Sequence, residues 1–136
     1  MEQLVIHGGA GSLEGKTTEA QKMHDSLCKI WEETFELLQK RSAEDAVRHA
    51  VRMLEDDPVY NAGTGSKLQA DGQIRMSAAL MDGTNNRFSG VINVQNIRNP
   101  IEAAALLSGE KHSILSSAQA TEFCRTKGIP EYNPET

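Results

Sequence analysis

Residues 59–99 form one unbroken block of strand-type sequence, flanked on both sides by amphipathic helical stretches. The block reads "VYNAGTGSKLQADGQIRMSAALMDGTNNRFSGVINVQNIRN" and carries two Asp-Gly pairs, Asp71-Gly72 and Asp82-Gly83. Such pairs mark tight hairpin turns, so strands are expected near 66–70, 73–81 and 87–95, turning at Asp71-Gly72 and around Asp82-Gly83-Thr84-Asn85. Strands joined by short turns pair antiparallel, because a parallel pair needs a crossover of a dozen or more residues. Three clustered antiparallel strands between pairs of helices predict an α+β layered domain and argue against alternating βαβ units.

The remaining elements fit around that block. Leu4-Val5-Ile6 is a short apolar run predicted as a buried strand, followed by a glycine turn. From about Thr18 to Arg41, Met23, Leu27, Ile30, Trp31, Thr34, Leu37 and Leu38 recur at helical steps. Trp31 and Phe35 are expected in the core of that helix's packing. Ser42-Ala43-Glu44-Asp45 reads as a capping box opening a second helix. Its apolar face is Ala43, Ala46, Val47, Ala50, Val51 and Leu54, and Asp56-Asp57-Pro58 ends it. Asn99-Pro100 opens a third helix running to about Leu107, with Asn as cap and Pro at the first helical position. A short β segment near 112–115 and a helix from Ser117 to Lys127 follow, stopped by Gly128. Residues 1–136 are read as a single domain, with 129–136 an irregular tail.

Composition narrows the functional classes. A net charge of −5 with no run of basic residues argues against a nucleic-acid partner. No apolar stretch approaches the length of a membrane span, and the acidic "MEQLVIHGG" start does not read as a secretory leader. Cys28 and Cys124 belong to no CxxC pattern and are read as two buried reduced thiols, so a cytoplasmic location is expected. His7, His24, His49 and His112 include no H-x-x-x-H pair, which leaves zinc without a ligand set.

Residues 10–17, "AGSLEGKT", satisfy a relaxed phosphate-loop pattern ending in Gly15-Lys16-Thr17. A true loop points backbone N–H groups and one lysine at phosphate oxygens. Here the predicted strand ends at Ile6, four residues too early, and Glu14 would place a carboxylate in an anion cradle. The only strand resembling a magnesium site, "AALMD" at 78–82, lies in an antiparallel hairpin. "HGGAG" is similar to an esterase oxyanion loop, but no G-x-S-x-G supplies a serine.

Three stretches taken together resemble one family: "IHGGAG" at 6–11, "LEDDPVYNAGTGSKLQADGQI" at 54–74 and "AALMDGTNNRFSGVINVQNIRNPIEAA" at 78–104. The chain is similar to the N-terminal (α) subunit of plant-type L-asparaginase/isoaspartyl peptidase, in the N-terminal-nucleophile hydrolase superfamily. The resemblance implies half of an αββα four-layer sandwich completed by a separate β subunit, usually as a dimer of αβ units. It implies a precursor that cuts its own backbone before a threonine, whose freed α-amino group then serves as base. That Thr, the oxyanion donors and the substrate clamps would lie on the β subunit. Thr136 is not the nucleophile, because it has no free α-amino group.

For this half, the resemblance implies that Gly8, Gly9 and Gly11 form a glycine loop supporting autocleavage. It implies a sodium ion wrapped by the backbone carbonyls of Leu54, Glu55, Asp57, Tyr60, Ala62 and Thr64, a structural ion with no catalytic cofactor. Hard cations suit carbonyl oxygens. Asn61 is expected near the partner-chain Thr, while Asp82 is expected to order its hairpin turn. The implied reaction is hydrolysis of L-asparagine or β-aspartyl dipeptides. Glycosylasparaginase and a taspase-type protease are alternatives within the superfamily, and a nucleotide-binding module using Gly15-Lys16-Thr17 is the alternative outside it.

Overall fold

The computed structural model describes residues 2–12 and 14–135. Leu13, inside the Ala10–Thr17 pattern, and Thr136, at the end of the predicted tail, lie outside the described residues, as does Met1. Among the described residues, four helices and three strands follow in the order α1 (Thr17–Leu38), α2 (Ala43–Asp56), β1 (Met76–Asp82), β2 (Arg87–Val94), α3 (Pro100–Leu107), β3 (Ile114–Ser116) and α4 (Ser117–Thr126). A single 3-10 turn, Gly63–Gly65, lies between α2 and β1. The α+β class is as expected.

The helix signals are realised closely at α2 and α4, whereas Asn99 gives α3 no side-chain cap. Ser42 caps α2, its Oγ accepting the Asp45 N–H at 3.1 Å and donating to Asp45 Oδ2 at 2.9 Å. Gly128, at φ +81°, ends α4 in a Schellman arrangement. There the Ile129 N–H reaches the Cys124 carbonyl, and the Gly128 N–H reaches that of Arg125.

The strand predictions need correction. β1 and β2 form the antiparallel hairpin, with Asp82 paired to Arg87, but β3 lies parallel to β2 in the order β1-β2-β3. The cause is α3, which carries the chain across the sheet between β2 and β3 and so permits the parallel pair. The expected strand at 66–70 does not form. Instead Gln69 and Gln73 close a tight turn, with Gly72 at φ +75° and the Arg75 guanidinium tying down Asp71 and Gln69. Leu4-Val5-Ile6 carries no regular structure and pairs with no strand among the described residues, and Val5 is exposed rather than buried. It runs along α1, where the Trp31 indole N–H donates to the Leu4 carbonyl at 3.3 Å.

Sheet alternation is interrupted once. Met76 pairs with Val94 and Ala78 with Val91, so β2 holds an extra residue there. Asn93, at φ +53°, absorbs the bulge, and its N–H donates to Ser77 Oγ. The bulge lets Val91 and Val94, three residues apart, both enter the core.

Three apolar clusters connect the layers. Met76, Val91, Val94, Ile97, Ala103, Leu107, Ala120 and Cys124 fill the space between the sheet and helices α3 and α4. Leu80, Ile101 and Ala104, with Val51, join α2 and α3 to β1. Ile30, Ala50 and Tyr60 gather Ile6, Met23, Leu27 and Leu54 beneath α1.

Four core assignments are revised. Trp31 is 40% exposed and stacks on Phe35 at 4.9 Å, on the outer side of α1. Ala43 and Val47 sit on the exposed side of α2. Cys28 is exposed, whereas Cys124 is buried as expected, and both are free thiols. The 129–135 segment is irregular but anchored. Pro134 is fully buried, the Tyr132 N–H donates to the Asn96 carbonyl, and Arg125 holds the carbonyls of Ile129 and Pro130.

The second face of the sheet is apolar and open. Met81 and Phe88, directly paired, join Ile92 and Ile114 there, each about half exposed.

Candidate functional site

Two motifs distant in sequence line one cleft. His7, Gly8, Gly9, Ala10, Gly11 and Ser12 form one wall; Val59, Tyr60, Asn61, Ala62 and Lys67 form the other. The cleft measures about 680 Å³, and Met23 and Leu54 lie at its base.

The glycine loop has no regular structure. The Gly9 N–H donates to His7 Nδ1 at 3.2 Å, and Gly9 sits at φ +111°, a conformation open to glycine. Gly8 is required for a different reason: a β-carbon there would lie 2.9 Å from Tyr60 Cε1 and 3.3 Å from Leu27 Cδ1. The ring of one motif therefore packs on the backbone of the other. Tyr60 is fixed by its hydroxyl, which donates to the Met23 carbonyl at 3.3 Å, and its burial pushes the phenol above its usual range.

The second wall is built where α2 ends. Pro58 has no N–H to offer the Leu54 carbonyl, and the Val59 N–H goes to Asp57 Oδ1 at 3.0 Å instead of to the Glu55 carbonyl. Asp57 Oδ2 accepts from Ser26 Oγ at 2.6 Å, which ties the loop to α1. The chain then turns through Gly63–Gly65, with Gly63 at φ +51°. A β-carbon on Gly65 would overlap the carbonyl oxygens of Tyr60 and Pro58. Asn61 Oδ1 accepts the Lys67 N–H at 3.0 Å and closes the loop on itself.

This geometry bears on the six carbonyls singled out from the sequence. Those of Leu54 and Glu55 lack their helical donors and sit at the negative end of the α2 dipole. Those of Asp57 and Ala62 each accept one backbone N–H, from Tyr60 and Gly65, and retain a second lone pair. Thr64 Oγ1 lies 3.3 Å from the Tyr132 hydroxyl. Oxygen-only donors of this kind fit a hard monovalent cation.

Two carboxylates take unlike parts. Asp82 Oδ1 accepts the N–H groups of Thr84 and Asn85, and Oδ2 accepts the Asn85 amide. It is a turn residue, and these bonds hold its carboxyl below the usual range. Glu55 is 97% buried by contrast, being only 3% exposed. Burial pushes its carboxyl up to about 8, against the pull of the Ile101 N–H and the Asn99 amide, with Asp56 and Glu102 pushing the same way. The sequence reading assigned Glu55 only a carbonyl role. Its place four residues after Val51, on the inward side of α2, was the available signal for a buried carboxyl.

Thr17 begins α1 with no side-chain cap from Lys16, and no strand precedes the Ala10–Thr17 pattern among the described residues. The strand-loop-helix arrangement that a phosphate loop needs is not formed there.

The protein-family profile described as "Asparaginase" matches residues 1–136. The chain belongs to the asparaginase family. Among curated members, it is 47% identical to an isoaspartyl peptidase/L-asparaginase of Synechocystis sp., covering 98% of this chain and 41% of that protein. It is 48% identical to the protein of the same name from Nostoc sp., covering 98% and 42%. A plant-type L-asparaginase of Pyrococcus horikoshii is 37% identical over all of this chain and 45% of its own length. The chain thus spans less than half the length of these relatives.

Proposed function

We propose that the chain is the α-subunit half of a self-cleaved threonine amidohydrolase that hydrolyses L-asparagine or β-aspartyl dipeptides. The observation that carries the reading is the shared cleft: the glycine loop and the Asn61 loop face each other across one opening. A threonine presented by the second half of the precursor would enter there. Its hydroxyl would attack the side-chain amide carbonyl, its own α-amino group taking the proton and passing it to the departing amine. Water would then release the acyl group. In this arrangement Asn61 orients the nucleophile. Gly8, Gly9 and Gly11 allow the backbone to come close and to reshape during cleavage.

The open sheet face supports the second half of the proposal. Met81, Phe88, Ile92 and Ile114 form the surface on which a second sheet would pack, giving an αββα sandwich with the β subunit. Two such αβ units would form the mature cytoplasmic enzyme. A sodium ion on the carbonyls of Leu54, Glu55, Asp57, Tyr60, Ala62 and Thr64 would hold the Asn61 loop by neutralising carbonyl repulsion. The test is hydrolysis of L-asparagine and a β-aspartyl dipeptide by the full-length protein and by its Asn61→Ala variant. Turnover that falls at least about tenfold in the variant supports the reading, and a wild-type protein inactive on both substrates refutes it.

A further inference from the structure

α3 starts without a side-chain cap from the residue that precedes it. Asn99 turns its amide to Asp56 Oδ1 at 3.0 Å and gives no side-chain cap. The Ile101 N–H is met instead by Glu55 Oε1 at 3.0 Å, from 46 residues earlier. A carboxyl buried in this junction, with Oε2 lacking any partner among the described residues, is costly. An apolar side chain of similar volume would fill the same space at less cost. What an apolar residue cannot supply is a fixed acceptor at the start of α3.

The same residue is the surface on which the Asn61 loop closes. A β-carbon on Gly63 would overlap the Glu55 carbonyl oxygen and lie 2.6 Å from Glu55 Cβ. Gly63 is two residues from Asn61 and lies within the 61–67 loop that the Asn61–Lys67 bond closes. Glu55 therefore joins α3, through its side chain, to the Asn61 loop, through its backbone and β-carbon.

We propose that the Glu55 side chain is a positioning residue: by capping α3 it locks the last turn of α2, and through Gly63 it sets where Asn61 stands in the cleft. Its catalytic consequence rests on the amidohydrolase reading; the positioning itself does not. The test is amide hydrogen exchange on the full-length protein, comparing Glu55→Leu, Glu55→Asp and Glu55→Gln. Leucine keeps the volume and loses the acceptor, aspartate withdraws the acceptor by one methylene, and glutamine keeps it.

In Glu55→Leu and Glu55→Asp, protection at Lys67 and Ile101 should fall together by about tenfold or more, while α1 is unchanged. Glu55→Gln should recover most of it. Should the leucine variant fail to fold, the aspartate variant carries the comparison. Loss at Ile101 with Lys67 unaffected would reduce Glu55 to a helix cap and overturn the proposal. With an active wild type, kcat should fall about tenfold in Glu55→Asp with KM changed much less, and Glu55→Gln should restore it. An inactive wild type would sink the amidohydrolase reading alone, since the exchange result still decides the positioning.

Discussion

The carbonyl oxygen of Glu55 occupies the place where a β-carbon on Gly63 would have to go. Gly63 also sits at φ +51°, so an alanine there faces both a steric overlap and an unfavourable backbone conformation. Left-handed conformation alone costs a non-glycine residue about 1–2 kcal/mol. Gly63→Ala is expected to lose at least about 2 kcal/mol in urea unfolding, with the overlap adding to the backbone term. A midpoint equal to that of the wild type would show that the loop does not close on α2 as described.

Glu55 gives stability a pH dependence with a definite sign. Its carboxyl titrates near 4.5 when unfolded and about 8 in the folded protein. Below about pH 4.5 both states hold the proton and the contribution is complete. As pH rises the unfolded chain ionises first, so stability falls until the folded carboxyl ionises at about 8. Denaturation from pH 5 to 8.5 in choline buffer should show this decline, and Glu55→Gln should flatten it. Parallel profiles for the two proteins would contradict the buried carboxyl.

Cation removal tests the carbonyl cradle. Replacing sodium chloride with choline chloride at equal ionic strength should lower the melting temperature of the full-length protein. A cation at ten times its dissociation constant adds about 1.4 kcal/mol to folding stability. The effect should vanish in Gly65→Ala, whose β-carbon would displace the Tyr60 and Pro58 carbonyls. Equal melting in the two salts would remove the ion from the account.

The Met81–Phe88 pair on the open sheet face makes a fourth prediction. Covering such side chains contributes about 1.5–3 kcal/mol each. Phe88→Lys with Ile114→Lys should keep α1 and α2 folded yet prevent the halves of the full-length protein from packing, seen by size exclusion and near-UV dichroism. Normal assembly of the double variant would mean that this face is not where the second sheet lies.

Helices were legible in the sequence because their signals are local: Ser42 with Asp45, Pro58, and Gly128 all act within one turn of the helix they bound. The hairpin at Asp82 was legible for the same reason. The strands expected at 4–6 and 66–70 do not form, because an apolar run becomes a strand only when another strand is beside it. The β segment near 112–115 was legible, but its parallel pairing with β2 was not, because the crossover role of α3 depends on packing beyond any local pattern. At the site, the glycine loop and the Asn61 loop were both recognised from their motifs, but their meeting through Tyr60 and Gly8 was a tertiary fact. Glu55 differs: its spacing from Val51 placed it on the inward side of α2, but only the junction of α2 with α3 shows its carboxyl meeting the Ile101 N–H.

Mass spectrometry under denaturing conditions on the natively purified full-length protein, with N-terminal sequencing of every chain, tests the central claim most directly. Two chains are expected, the precursor band giving way to a second fragment that begins with threonine. A single uncut polypeptide that nonetheless hydrolyses L-asparagine would contradict it, because no free threonine amino group would then exist to act as base.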